Sequence, residues 1–168
     1  MKTWQDLEGY FDFADLYDKQ VEIARDGAIF VELGLWNGRS FVYLAEAIKK
    51  SGKKIDLHGV DNFQTPPLEQ FMLNLLDCGV LNATVTKSDS AEAAKLYKDK
   101  SVDFVFIDAD HSYQAVKKDI FAWLPKIRKG GFIGGHDIQR TVVYHAVQDA
   151  LENFQRVGIN SWLKEVTT

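Results

Sequence analysis

At 168 residues, with 46% apolar and 26% charged side chains, the chain can bury one sizeable core and is too short for two ordinary domains. No apolar run approaches the roughly 18 residues that cross a bilayer and no charged-then-apolar leader follows Met1, so membrane insertion and secretion are not expected. A net charge of −4, with 20 basic residues spread along the chain, exerts little pull on a polyphosphate or an anionic membrane, so neither nucleic acid nor membrane is expected as a partner. The single cysteine, Cys78, cannot form an internal disulfide and fits the reducing cytoplasm.

In chain order, residues 4–24 carry Leu7, Tyr10, Phe11, Leu16, Tyr17 and Val21, which suits one or two helices over the sheet or its open edge. Short β-branched or aromatic runs read as strands at 28–31, 55–60, 83–86, 102–107 and 131–134. Apolar residues at helical spacing stand between and after them: Phe41, Leu44 and Ile48; Leu68, Phe71 and Leu75; Val116, Ile120 and Trp123; Val143, Ala146, Val147 and Ala150. Strands alternating with helices pair in parallel through crossovers, so the fold class is α/β, doubly wound. Gly79 is placed to end a helix in a left-handed cap, Ser90 and Ser112 to start helices, and Lys129-Gly130-Gly131 to turn a helix into the fifth strand. The lysines at 49, 50, 53 and 54 stand at a helix end, where they complement its carbonyls.

In such a sheet, ligands bind outside the carboxyl ends of the strands. Every loop there is rich in polar residues or glycine: 32–40, 61–67, 87–90, 108–113 and 134–140. The first places Gly34 and Gly38 between a strand and a helix, which permits a tight turn and close approach of a ligand. It lacks the P-loop Gly-Lys-Ser/Thr and the third glycine of the dinucleotide fingerprint, so a ligand-free turn is also an open reading. Asp61, at the end of the next strand, can accept from two ribose hydroxyls, which favours an adenosine-containing ligand, or can serve as a cap before the Thr65-Pro66-Pro67 turn.

The set Glu32-Leu33-Gly34-x-x-x-Gly38-x-Ser40, Gly59-Val60-Asp61-Asn62, Lys87-Ser88-Asp89-Ser90, residues 106–113 (FIDADHSY) and residues 130–137 (GGFIGGHD) resembles the class I S-adenosylmethionine-dependent methyltransferases. The likeness covers about residues 27–154 and points to the small-molecule O-methyltransferase group that includes macrocin-type and cephalosporin-hydroxylase-like proteins. It implies a single-domain Rossmann-like sheet with helices on both faces, residues 1–26 forming an N-terminal helical segment and 27–168 the cofactor-binding domain. It places Glu32, Gly34 and Gly38 at the methionine end of S-adenosylmethionine with Ser40 nearby, Leu35 and Trp36 in the same cofactor-binding loop, Asp61 at the ribose, Asn62 and Phe63 beside the adenine, Asp89 and Ser90 at its edge, and Asp108 at the junction with the acceptor pocket. The cofactor's ammonium and sulfonium suit an acidic crevice holding Glu32, Asp61 and Asp108.

For a hydroxyl acceptor the enzyme needs alignment and a base, and His111 and His136, the latter beside Asp137, are the candidates. His58 and His145 are read as structural, as are Trp4, Trp123 and Trp162, and Arg39 either touches a carboxylate or is solvated. Relatives can bind a divalent cation at positions that read Asp108, His136 and Asp137 here. A histidine in that set suits a softer ion than magnesium or none, and transfer without a metal is the expectation. The family closes its sheet with an antiparallel pair, whereas 159–166 offers material for one strand, so either the sheet is shortened or further chain supplies the other. An unpaired edge there invites a homodimer. A nicotinamide-dependent oxidoreductase, disfavoured by the absent third glycine and Tyr-x-x-x-Lys pair, and a non-catalytic nucleotide-binding module are the competing readings.

Overall fold

The computed structural model describes residues 1–167. Its elements run in the order α1 (Ala14–Ile23), β1 (Ala28–Leu33), α2 (Arg39–Ser51), β2 (Ile55–Asp61), α3 (Leu68–Asp77), β3 (Ala83–Lys87), α4 (Ser90–Ala93), β4 (Val102–Ile107), α5 (Tyr113–Trp123), β5 (Ile127–Gly135), α6 (Thr141–Ala150), β6 (Gln155–Val157) and β7 (Ser161–Glu165). The strands form one seven-stranded sheet in the order β3-β2-β1-β4-β5-β7-β6, with only the β5–β7 and β7–β6 pairs antiparallel. This is the doubly wound, Rossmann-like α/β architecture expected from the alternation of elements.

The period of two along the strands divides the core. Phe30, Phe104 and Phe106 face one side, where Phe13 and Tyr17 of the N-terminal segment, Phe41 of α2 and Phe71 of α3 meet them. Val31, Leu33, Val105, Ile107 and Ile133 face the other, under Val116, Ile120 and Trp123 of α5 and Val143 and Val147 of α6. A strand covered on both faces reads as a continuous apolar run, which is why β1 and β4 stand out in the sequence. The N-terminal segment therefore lies over the sheet face. Lys53 Nζ, rather than finishing its own helix, donates to the carbonyls of Val21, Glu22 and Ala24 at the end of α1.

Three local expectations are corrected. Asp89, not Ser90, caps α4, its carboxylate accepting from Glu92 N, while Ser90 Oγ donates to Asp119. Lys129-Gly130-Gly131 is no turn between elements: it lies inside β5, where the register against β4 shifts between Val102 and Phe104 and Gly130 adopts φ +74°. Gly131 sits so close to β4 that a Cβ would lie 2.7 Å from the Asp103 carbonyl, so the bulge accepts only glycine. The sheet is also not one strand short. β6 pairs with β7, and β7 inserts beside β5; Gln155-Arg156-Val157 has no apolar alternation, which concealed it as a strand. Gly79 does end α3 with φ +74°, and Ser112 does cap α5.

Candidate active site

The strand order reverses between β1 and β4, and a crevice of about 840 Å³ opens there above the strand ends, within the range of small-ligand sites. Gly34 sets its floor. Its φ is +85°, and a Cβ would stand 2.2 Å from the Asp108 carbonyl oxygen, so only glycine lets the loop after β1 pass against the loop after β4. Trp36 follows at φ +42° and Gly38 at +90°. Asp61 fixes this loop from the end of β2: one carboxylate oxygen accepts from Leu35 N (2.7 Å) and Trp36 N (3.2 Å), the other from Phe63 N (2.6 Å).

Of the twelve residues that the resemblance places around a cofactor, Gly34, Leu35, Trp36, Ser40, Asp61, Asn62, Asp89, Ser90 and Asp108 line the crevice. Glu32, Gly38 and Phe63 stand behind it. Glu32 is fully buried, bonded to Ser40 Oγ at 2.5 Å, with its second oxygen unpartnered beside the buried Tyr17 hydroxyl. Burial raises its carboxyl to about 8, despite the Ser40 contact. Asp119 lines the crevice beside Ser90, to which it is bonded, and burial raises it to about 6.

His111, His136 and Asp137 meet Asp108 at the other end of the crevice. His111 Nε2 lies 2.7 Å from Asp137 Oδ2 and 3.2 Å from Asp108 Oδ1. The hydrogen bond to Asp108 holds the His111 pKa above the usual imidazole value against the opposing effect of burial. Asp108 is raised by its own burial, with the His111 contact working against that shift. His136 is turned the other way: Nε2 meets Asp12 Oδ1 at 2.9 Å, and Nδ1 lies 3.4 Å from Asp137 Oδ2 and 3.8 Å from Asp108 Oδ1. Asp12 Oδ2 in turn accepts from Asn160 Nδ2 (2.7 Å) and the Tyr10 hydroxyl (3.0 Å). Asp12, Tyr10 and Asn160 carry no motif, and nothing in their local sequence marks them.

Asp108, His111 and Asp137 each offer one potential ligand atom, all within 4.8 Å of one another. The set of three is therefore built on His111 rather than on His136. Two carboxylates and an imidazole suit a softer divalent ion better than magnesium, and His111 Nε2 bonds Asp108 with the Asp137 carboxylate also close by. Elsewhere, His58 Nδ1 bonds the Tyr97 hydroxyl at 2.8 Å, and His145 is exposed on α6. Arg39 neither meets a carboxylate nor stands free in solvent: it donates to the Leu7 carbonyl and stacks on Trp4. Among the described residues no helix is long and apolar enough to cross a membrane.

A model of the family described as "Methyltransferase domain" matches residues 31–138, which include the glycine loop, Asp61, Asp108, His111, His136 and Asp137. No curated protein sequence matches the chain. Among solved structures, a Corynebacterium glutamicum protein superposes with a TM-score of 0.76 at 13% identity, over 98% of this chain and 85% of its own. The O-methyltransferase NovP does so with 0.76 at 13%, over 92% and 79%. An rRNA methylase from Streptococcus thermophilus gives 0.67 at 15%, over 91% and 95%. At these identities the likeness is one of fold. It nonetheless overturns the exclusion of nucleic acid as a partner, because a net charge of −4 says nothing about a local surface and this architecture also serves an enzyme named for rRNA. With the matched residues covering most of the sheet and the crevice, the chain belongs to the methyltransferase-domain family, whose class I members use S-adenosylmethionine.

Proposed function

We propose that this protein transfers a methyl group from S-adenosylmethionine to a hydroxyl of a small metabolite or sugar, with His136 as the base and no metal required. The observation that carries the reading is a buried histidine in the lining of the crevice whose Nδ1 makes no hydrogen bond and faces Asp108 and Asp137.

The crevice fits the cofactor on its own evidence. A loop with two left-handed glycines follows β1, a carboxylate stands at the end of β2, and acidic side chains outnumber basic ones along the lining, as a cation requires. Gly34, Leu35, Trp36 and Ser40 would hold the methionine end, with Gly38 shaping the turn and Glu32 behind it. Asp61 would hold the ribose, with Asn62 and Phe63 beside the adenine and Asp89 and Ser90 at its edge. When bound, S-adenosylmethionine supplies a methyl already activated by its sulfonium. Each histidine presents Nε2 to a carboxylate; His111 is held above the usual imidazole value by its hydrogen bond to Asp108 and so keeps its proton more tightly, whereas His136 Nδ1 makes no hydrogen bond and faces Asp108 and Asp137, which makes His136 the base in this reading. His136 Nδ1 would take the proton of the acceptor hydroxyl, leaving that oxygen to receive the methyl that the bound cofactor would supply. Asp108 and Asp137 orient the acceptor and stabilise the imidazolium. In this reading residues 27–168 form the transferase body, 1–26 cover its acceptor end, and the reducing cytoplasm is its setting.

Calorimetry with S-adenosylhomocysteine tests the first half, and labelled methyl transfer screened over sugars, small alcohols and RNA tests the second. Saturable binding, and label on a hydroxyl that is lost by about 10²–10⁴-fold in His136→Ala with cofactor binding kept, is expected. The absence of binding heat, transfer to RNA alone, or activity that EDTA abolishes and a divalent ion restores would overturn the corresponding part.

A further inference from the structure

His136 reaches across the sheet to a residue 124 positions away, outside the matched family segment. Its ring is packed between Phe13 (centroids 5.0 Å apart) and Tyr10 (5.8 Å), and its main-chain N–H donates to the Ile107 carbonyl. The groups facing it are Asp12, Tyr10, Asp108 and Asp137. Burial pushes the Asp12 carboxyl up, but hydrogen bonds from His136, Asn160 and Tyr10 outweigh it and hold the group below the usual carboxylate value. An ionised carboxylate only accepts, so Nε2 must be the donor and the proton of the neutral ring sits there. Nδ1 is then bare on the side of Asp108 and Asp137.

We propose that Asp12, 2.9 Å from His136 Nε2, is a positioning residue that fixes the imidazole in the tautomer with Nδ1 unprotonated, making the N-terminal segment part of the reaction centre. The inference rests on His136 being the base. Asp12 takes no proton itself; it selects which nitrogen can take one and stabilises the imidazolium that results. Tyr10 and Asn160, from the two ends of the chain, hold the second carboxylate oxygen and keep the first aimed at the ring. Without Asp12 the only acceptors left to a neutral ring are Asp137 and Asp108, both on the Nδ1 side, so the proton should move to the nitrogen that catalysis needs bare.

Long-range ¹H–¹⁵N spectra of the full chain, recorded in the alkaline range where the ring signals have stopped moving with pH, read this directly and need no acceptor. His136 is identified by the signal missing in His136→Asn. Wild-type protein should show the Nε2–H form almost exclusively, and Asp12→Ala should bring it below half, in favour of Nδ1–H. Asp12→Asn, whose side-chain oxygen can still accept from Nε2, should keep the tautomer while lowering turnover at least tenfold with KM unchanged. An Nδ1–H ring in the wild type, or an unaltered tautomer in folded Asp12→Ala, overturns the proposal; the wild-type spectrum decides if that variant does not fold. Failure of the functional reading shows separately, as a protein that gives no heat with S-adenosylhomocysteine whatever its tautomer.

Discussion

Replacing Gly34 by alanine puts the cofactor loop to its most direct test. The new methyl would lie 2.2 Å from the Asp108 carbonyl oxygen, 2.5 Å from its carbon and 2.6 Å from Ala109 Cα, all main-chain atoms that cannot rotate away. The loops after β1 and β4 must separate, by about an ångström or more to restore ordinary contact. Holding a non-glycine residue at φ +85° costs about 1–2 kcal/mol, and forcing a methyl into a filled space about 1–3 kcal/mol. The sum, about 2–5 kcal/mol, is a large fraction of the 5–15 kcal/mol by which domains are stable, and corresponds to a fall in melting temperature of roughly 4–20 °C for a chain of this size. Because the strain falls on the main chain of Asp108, affinity for S-adenosylhomocysteine should drop at least tenfold even where the protein remains folded. Thermal melts and calorimetry on the same sample measure both. A variant with wild-type stability and wild-type affinity would refute the claim that this contact builds the crevice.

Glu32 predicts the pH dependence of stability. Burial raises its carboxyl from 4.5 to about 8, so the folded state binds the proton more tightly, and stability is lost as pH rises from about 4.5 through about 8. Glu32→Gln should flatten that decline, and urea titrations at pH 6 and 9 that fall equally in both proteins would contradict it. Asp103, at the opposite end of the sheet, is buried and accepts from Arg25, Arg128 and the Ile29 N–H. Asp103→Ala should cost about 2 kcal/mol, discounted for the partly exposed guanidinium groups, with S-adenosylhomocysteine affinity unchanged in calorimetry.

What the sequence disclosed and what it withheld divide along the crevice. Gly34, Asp61, Asp89 and Asp108 each lie in a short loop that leaves a strand, so the rule that ligands bind at strand ends locates them without knowledge of packing. The strands before them were legible because both faces are covered. The His136 end of the crevice is assembled from Tyr10 and Asp12 before β1, His136 after β5 and Asn160 between β6 and β7, and the contacts joining these three segments span 124 to 150 positions. Asp12 and Asn160 are neither periodic nor punctuating, Tyr10 counted only as an apolar residue of the N-terminal segment, and their meeting depends on β7 inserting beside β5, a pairing that the three-residue β6 concealed. The two histidines show the same division. Asp108 and His111 are three residues apart at a strand exit, a spacing at which a carboxylate and an imidazole meet locally, and there they bond each other. His136 instead finds its partner across the molecule. Local spacing accounts for the contact of His111, and only the tertiary fold accounts for that of His136. Spacing along the chain could therefore place both histidines at the strand ends, while the difference between their environments follows from tertiary pairing.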